Sequence, residues 1–533
     1  MTQEWDVNDE DTLVGTISMR FSTIKHCLAA AMVMVLPLTS SALTAKGADS
    51  RVDLAWEARD GVAYNIYRST SNSEAFSRIN ATPHPVGLYS DFTGTNGVLY
   101  FYKVAKVDQD GNEHFMADPP VSARPRQMID EVLLTSIQEA TFRYFWDYGH
   151  PVSGMVPESY YRFRQVCAAG GTGFGVLANM IGAERGFVTR EAACVRTLTI
   201  AKFLEKADRF HGAWSHWING ATGKSIRFSR KDDGADIVET ALLMQGLLTA
   251  RQYFDRDTPG EREVRETITR LWKSVEWDWF LKGDGGKTLL WHWSPNHGFE
   301  KNVEVRGYNE CMIAYLLAIA SPTHPIPASC YDEGWASLPA YINGQTYYSI
   351  KQPVGPPMGG PLFLSHYSFV CFDPRGKRDK FANYFENAKQ ISRIHQAYAL
   401  DNPGHFKGYS SLAWGLTSCF TPDGYKVCQP GIKDNGTIAP TAALSSMPYT
   451  PEESMATLKY YYHQLGGRLW GPFGFYDSFN LGRDWFSDGY LAINQGPILC
   501  MIENARSGLC WKYFMKNPEI RPMLEAIGWE TGE

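Results

Sequence analysis

The chain has 533 residues, 44% hydrophobic and 20% charged, which supplies large cores and excludes wholesale disorder. A formal charge of -6 gives no basic surface of the kind that nucleic-acid binding requires. The conspicuous quantity is the 14% of aromatic residues, which either fill cores or line a cleft for a polar ligand.

Residues 1–45 read as addressing, not fold. Five acids precede Met19; then Arg20, Lys25 and His26 lead into a short apolar run over 27–38. Small residues follow at Ser40, Ser41, Ala42 and Ala45, which completes the pattern of a secretory signal peptide, with translation expected from Met19. An acidic tail ahead of a signal anchor is the alternative. The run is shorter than the ~20 residues of a membrane span, and no later stretch is apolar enough. The mature chain, with a charge of about -3, is expected to be exported, periplasmic or secreted, with no membrane span.

Residues 47–125 alternate in strand fashion over 52–56, 64–68 and 100–107, with turn clusters such as Arg59-Asp60-Gly61 between them. Short strands with one Trp on an early strand predict a small β-sandwich resembling a fibronectin type III module. No aromatic row stands out there, so packing or spacing is its expected job, ahead of glycan binding.

Residues 126–533 are helical in texture, with apolar residues at helical spacing over 130–147, 191–210, 235–254, 261–279, 307–320, 377–399, 451–465 and 492–507. Strand–helix alternation is absent, so a parallel sheet is excluded. A mainly α fold follows, best satisfied by an (α/α)6 toroid whose inner helices converge on a pocket. Long loops over 282–302 and 352–374 would wall the cleft. A solenoid is the alternative, but no fixed period is visible.

The densest acidic feature is Asp232, Asp236 and Glu239. Capping-box spacing and the helix dipole offer a purely structural account of the last two. Yet Glu239 shares a stripe with Leu242, Leu243, Gly246 and Ala250, and carboxylates aimed at a core are costly without a ligand or base. Glu310, in stripe with Ile313, Ala314 and Leu317, is a second candidate. Burial there would raise its pKa, as a general acid needs, unless Arg306 pairs with it. Asp477 is the third, held in a loop of rings and glycines over 470–480; its structural account is a turn-former bonding its own backbone.

Trp214-Ser215-His216-Trp217, Trp291-His292-Trp293, His366-Tyr367 and Trp485-Phe486 set rings beside hydrogen-bonding groups. Sugars present apolar C–H faces and hydroxyl edges, so such loops favour a glycan cleft. The glycine run 170–175 lacks dinucleotide spacing and reads as a tight lead-in to a helix. HExxH, Gx4GK[ST] and GxSxG are absent. His292 and His297 have no carboxylate companion at ligand spacing, so no metal site is expected. Cys419 and Cys428 flank a Pro-Asp-Gly turn and are candidates for a bridge, the other cysteines for buried thiols.

Residues 141–147, Gly173-Phe174-Gly175, 232–240, Gly307-Tyr308-Asn309-Glu310, 359–363, 476–480 and Gln495-Gly496-Pro497 together resemble the bacterial glucoamylase-like family. Its characterised members form glycoside hydrolase family 144, the β-1,2-glucan hydrolases. The resemblance spans residues 130–525 and implies an (α/α)6 barrel, no cofactor, and cleavage of β-1,2-glucosidic bonds with inversion. It points to Asp232, Asp236, Glu239 and Glu310 as pocket acids, with Glu310 as general acid. Asp477 matches a family loop position and is the expected base. Arg306, Tyr308, Trp217, Trp293, His366, Tyr367 and Trp485 complete the expected substrate-binding set. The family's Asp-Gln-Gly-Pro stands here as Asn494-Gln495-Gly496-Pro497, which removes position 494 as an acid. The expected protein is therefore an exported, monomeric, inverting endo-β-1,2-glucanase acting on β-glucan or glucooligosaccharide. Exo release of sophorose and non-catalytic glycan binding are the alternatives.

Overall fold

Eight strands open the described chain and divide into two sheets, because alternate residues along them are apolar. The computed structural model describes residues 43–531 except 60, 74, 117–118, 161–163 and 338–340. The expected leader lies outside the described residues as far as residue 42. The strands are β1 (Thr44–Ala48), β2 (Arg51–Ala55), β3 (Ala63–Ser69), β4 (Ser77–Arg78), β5 (Leu88–Phe92), β6 (Tyr100–Val107), β7 (Glu113–Phe115) and β8 (Val121–Ala123). One sheet has the order β1-β2-β5; the other has β4-β3-β6-β7, with β8 also on β6. Val52 and Leu54 of the first sheet share an apolar cluster with Tyr64, Ile66, Tyr102 and Val104 of the second. The first strand begins at Thr44, ahead of the expected boundary at 47, because Leu43 is buried in that cluster and Thr44 pairs with Ala55.

These sheets are fastened to the helices behind them. Arg51, only 1% exposed, lays its guanidinium 4.4 Å from the centre of the Trp470 ring. It donates to the Tyr462 hydroxyl at 3.1 Å, Ser136 Oγ at 3.0 Å and Asp53 at 2.7 Å. The Tyr462 hydroxyl in turn donates to the Asp49 carbonyl at 2.8 Å. These contacts join the N-terminal sheets to the helices within one compact unit.

The helices are α1 (Asp130–Trp146), α2 (Ala169–Glu184), α3 (Arg190–Lys206), α4 (Ile237–Tyr253), α5 (Pro259–Lys273), α6 (Met312–Ala320), α7 (Tyr384–Asp401), α8 (Pro440–Leu444), α9 (Pro451–Leu469), α10 (Ala492–Ser507), α11 (Leu509–Phe514) and α12 (Ile520–Ala526). An inner row is buried nearly all round: α6 packs on α4, α4 on α2, α2 on α10 and α10 on α8. Helices α1, α3 and α5 bury one face and pack outside that row.

Three departures from expectation have local causes. The glycine run is not a lead-in but lies inside α2, where packing overrides poor helix propensity. A Cβ on Gly173 would fall 2.3 Å from the Leu242 carbonyl oxygen, and one on Gly246 would fall 2.2 Å from that of Gly173, so α2 and α4 touch backbone to backbone. Helix α6 starts at Met312 instead of 307, because Gly307 adopts φ 82° and the Asn309 side chain takes the Cys311 N–H at 2.9 Å. Helix α7 starts at Tyr384 instead of 377, where Asn383 caps the Glu386 N–H at 3.1 Å.

Replacing Arg51 by Met removes the buried cation that ties both layers together. A loss of about 3 kcal/mol in urea unfolding is expected. A loss below about 1 kcal/mol would contradict this account of the junction.

Candidate active site

Helix α4 begins where the short strand 235–236 ends, and Asp236 is its N-cap. Asp236 Oδ1 accepts from the backbone N–H of Val238 at 3.0 Å and of Glu239 at 2.9 Å. The capping account is therefore correct, but it uses one oxygen only. Oδ2 faces His216 Nδ1 at 3.3 Å and His292 Nε2 at 3.9 Å. Antiparallel pairing sets His292 opposite Asp236, and Asp232 Oδ2 lies 3.2 Å from the same His292 nitrogen. Lys301 Nζ donates to Asp232 Oδ2 at 3.0 Å. One turn into α4, Glu239 accepts the Gly170 N–H at 2.6 Å, from the unsatisfied first turn of α2.

These neighbours sort the protonation states. Burial opposes charge on His216, but Glu239 and Asp236 prevail and push it up to about 10. Burial would raise Asp236, yet the His216 bond and the His292 and His216 charges hold it below the usual carboxylate range. Glu239 moves up, from burial first, with the charge of Asp236 adding to it. His292 is driven down to about 4 by burial despite both aspartates, so it is neutral near pH 7. Asp232, Asp236 and His292 bring ligand atoms within 4.8 Å of one another, which corrects the expectation that His292 lacks a carboxylate companion. The pairing of distant strands supplies those companions. Lys301 already brings a positive charge to that point, 3.4 Å from His292 Nε2.

Glu310 precedes α6, with its carbonyl accepting from Ser368 Oγ at 2.6 Å and its side chain half-buried. Burial, with the charges of Asp236 and Glu239, pushes its carboxyl up to about 7. Asp477 is 2% exposed, between the short strands 474–475 and 479–480. It does not bond its own backbone as a turn-former would. Its Oδ2 accepts the Phe420 N–H at 2.7 Å and its Oδ1 the Asn494 amide at 2.7 Å. Burial outweighs those bonds and pushes it up to about 6. Burial, with the charges of Tyr425, Glu310, Glu239 and Asp477, raises the Tyr367 hydroxyl well above its ordinary range.

The structure divides the remaining expected residues. Trp217 joins the site through His216, its ring 4.6 Å from Phe228, which itself lies 4.2 Å from His216. Trp293 does not: with His292 facing the acids, alternation turns Trp293 to the opposite side, 5.0 Å from His211 and 6.0 Å from Phe210. His366 is a core histidine, pushed down to about 3 by burial, with Nε2 3.0 Å from Ser446 Oγ. Tyr308 packs parallel to Tyr384 at 6.3 Å, and its hydroxyl meets Ser365 at 3.4 Å. Arg306 pairs with Glu304 at 3.0 Å and Asp284 at 3.3 Å and donates to Thr288, leaving Glu310 alone. Trp485 sits half-buried opposite Asn480 in the hairpin beyond Asp477. Cys419 and Cys428 are buried free thiols.

Besides His292, four groups escaped the sequence reading as partners of the acids: His216, Lys301, Asn494 and Glu158, whose charge acts on both His216 and Glu239. Only the tertiary fold brings them in, and no local spacing announces it.

Comparison with known proteins identifies relatives of this chain. The family model for glucoamylases (Glycoamylase) matches residues 302–518. The chain is 42% identical over 510 residues to an exo β-1,2-glucooligosaccharide sophorohydrolase (non-reducing end) of Parabacteroides distasonis, covering 91% of this chain and 70% of that protein. A crystal structure of a β-1,2-glucanase from Parabacteroides distasonis gives a TM-score of 0.88 at 41% identity, covering 94% of this chain and 74% of that one. An endo-β-1,2-glucanase of Chitinophaga pinensis, solved with sophorotriose and glucose, gives 0.74 at 44% identity, covering 76% and 99%.

Because the His216 pKa rises from 6.5 to about 10, its stabilising pairing is complete below pH 6.5 and is lost as the pH climbs through 10. His216→Gln should cost about 3 kcal/mol near neutral pH, with the deficit shrinking toward the alkaline end, read by urea unfolding across that range. A deficit independent of pH would mean that His216 is uncharged in the folded protein.

Proposed function

This chain belongs to glycoside hydrolase family 144, the glucoamylase-like family, and on that premise we propose that it hydrolyses β-1,2-glucosidic bonds with inversion. The observation that carries the reading is a pair of acids, Glu310 and Asp477, pushed up to about 7 and about 6 on separate elements, whose charges both act on Tyr367. Environments that hold one carboxyl protonated and leave another ionised are how such pairs divide acid and base roles.

The Glu310 carboxyl gives its proton to the departing glycosidic oxygen, directly or through a sugar hydroxyl, as the bond to C1 breaks. The Asp477 carboxylate takes a proton from water on the opposite face, and that water oxygen forms the new bond to C1. Asp232, Asp236 and Glu239 accept sugar hydroxyls beside them, with Tyr367 and Trp217 as flanking rings. No step requires a cofactor.

Coverage supports exo release of sophorose from the non-reducing end. The sophorohydrolase matches 91% of this chain, and that length must run into the N-terminal sheets, whereas the endo enzyme covers 76%. Endo cleavage, the expectation from sequence, is the second reading, supported by the 44% identity to that endo enzyme. An (α/α)6 toroid, of which α2, α4, α6, α8 and α10 would supply five of the six inner helices, and a fibronectin-like sandwich of the two N-terminal sheets are part of the proposal. Export to the periplasm or medium, and a monomeric state, complete the proposal.

On linear β-1,2-glucan, sophorose as the sole early product supports exo action, and a ladder of longer products supports endo action. Cleavage of β-1,3-, β-1,4- or β-1,6-glucan with none of β-1,2-glucan would overturn the substrate assignment. The pH profile of kcat/KM should be a bell, rising near pH 6 as Asp477 ionises and falling near pH 7 as Glu310 loses its proton. Glu310→Gln should lose about 10²- to 10⁴-fold in kcat, and near-wild-type activity would remove Glu310 from the acid role.

A further inference from the structure

Asn494 lies in the first turn of α10, fully enclosed, where its amide nitrogen makes two hydrogen bonds. One runs to Asp477 Oδ1 at 2.7 Å and the other to the Ser418 carbonyl at 3.0 Å. Both hydrogens of the amide are thereby used, one on each acceptor. The neighbouring Gln495 amide donates to the Phe475 carbonyl at 3.0 Å, so adjacent side chains of α10 grip both ends of the segment 475–477. On the other side, the Phe420 N–H holds Asp477 Oδ2, and Ser478 Oγ donates to the Phe420 carbonyl.

From this geometry we infer that Asn494 is a positioning residue for Asp477, keeping it ionised and fixing which oxygen faces the attacking water. The inference deepens the assignment of Asp477 as base and rests on it. A carboxylate at 494 would face two acceptors with no hydrogen to offer. It could enter only by trapping a proton between itself and Asp477, leaving two like charges to share one site. An amide donates twice and carries no charge. Burial alone would leave Asp477 protonated over more of the neutral range, and the Asn494 bond is the first of the contacts that oppose it.

The test is the pH dependence of kcat/KM on β-1,2-glucan for wild type, Asn494→Asp and Asn494→Ala, with Asp477→Asn as the reference. Asp477→Asn must first abolish activity, since an active variant sinks the base assignment itself and not this refinement of it. Given that, Asn494→Asp should move the acid limb upward by about one pH unit or more, so that activity falls at least about ten-fold more at pH 5.5 than at pH 7.5. Asn494→Ala, which loses the donor without adding charge, should move the limb in the same direction by less. Asn494→Ser, which restores a single donor, should lie between Asn494→Ala and wild type. An equal fold-loss at every pH, or an acid limb unmoved in the variants that fold, would overturn the inference and leave Asn494 a packing residue.

Discussion

The contact between α2 and α4 is the constraint from which the site follows. Gly173 and Gly246 meet backbone to backbone, at a separation no side chain could share. That approach carries the first turn of α2 onto Glu239 and encloses its carboxylate, which accepts the Gly170 N–H. Glycine on both sides is the condition for it, which is why a run that looks unfit for a helix lies inside one. A Cβ at Gly170 would itself fall 2.8 Å from Glu239 Oε2, so the same small residues shape the helix crossing and the acid's seat.

Charge compensation is then distributed unevenly, and the unevenness produces the chemistry. His216 stands against Asp236 and Lys301 against Asp232. Among the described residues, Glu310 and Asp477 have no ion pair with Lys or Arg. Burial therefore raises both, and the charges left on Asp236 and Glu239 raise Glu310 further. Asp236 is thus held below the usual carboxylate range, while Glu239, Glu310 and Asp477 are all raised above it, and the proposed division of roles rests on that contrast.

Much of this was legible in the sequence, and the failures follow one physical rule. Helix periodicity located α1, α4 and α10 closely, because their apolar residues recur at helical spacing. Burial of Glu239 could be argued from its stripe, since cost and partner requirement follow from chemistry alone, whereas Glu310 lies ahead of α6 and shares no helical stripe with it. What could not be read was anything set by pairing between distant segments. The two-residue ladder between 235–236 and 292–293 sends His292 to the acids and Trp293 away from them, although both stand in one aromatic loop. Likewise His366 and Tyr367 are neighbours in sequence, yet one is bonded to Ser446 in the core and the other experiences the charges of the acids. The 14% of aromatic residues is accordingly mostly packing: Trp214, Trp272, Trp277, Trp335, Trp414 and Trp511 are fully buried, and the site takes few rings.

The central claim is that Glu310 and Asp477 work from opposite faces of the scissile bond, with water delivered directly to C1. Proton NMR of the anomer first released from a β-1,2-linked substrate tests it most directly. The account predicts the α-anomer at the new reducing end, decaying later to the mutarotation mixture. Initial release of the β-anomer would contradict it, because retention replaces direct attack of water on C1 by attack of a carboxylate.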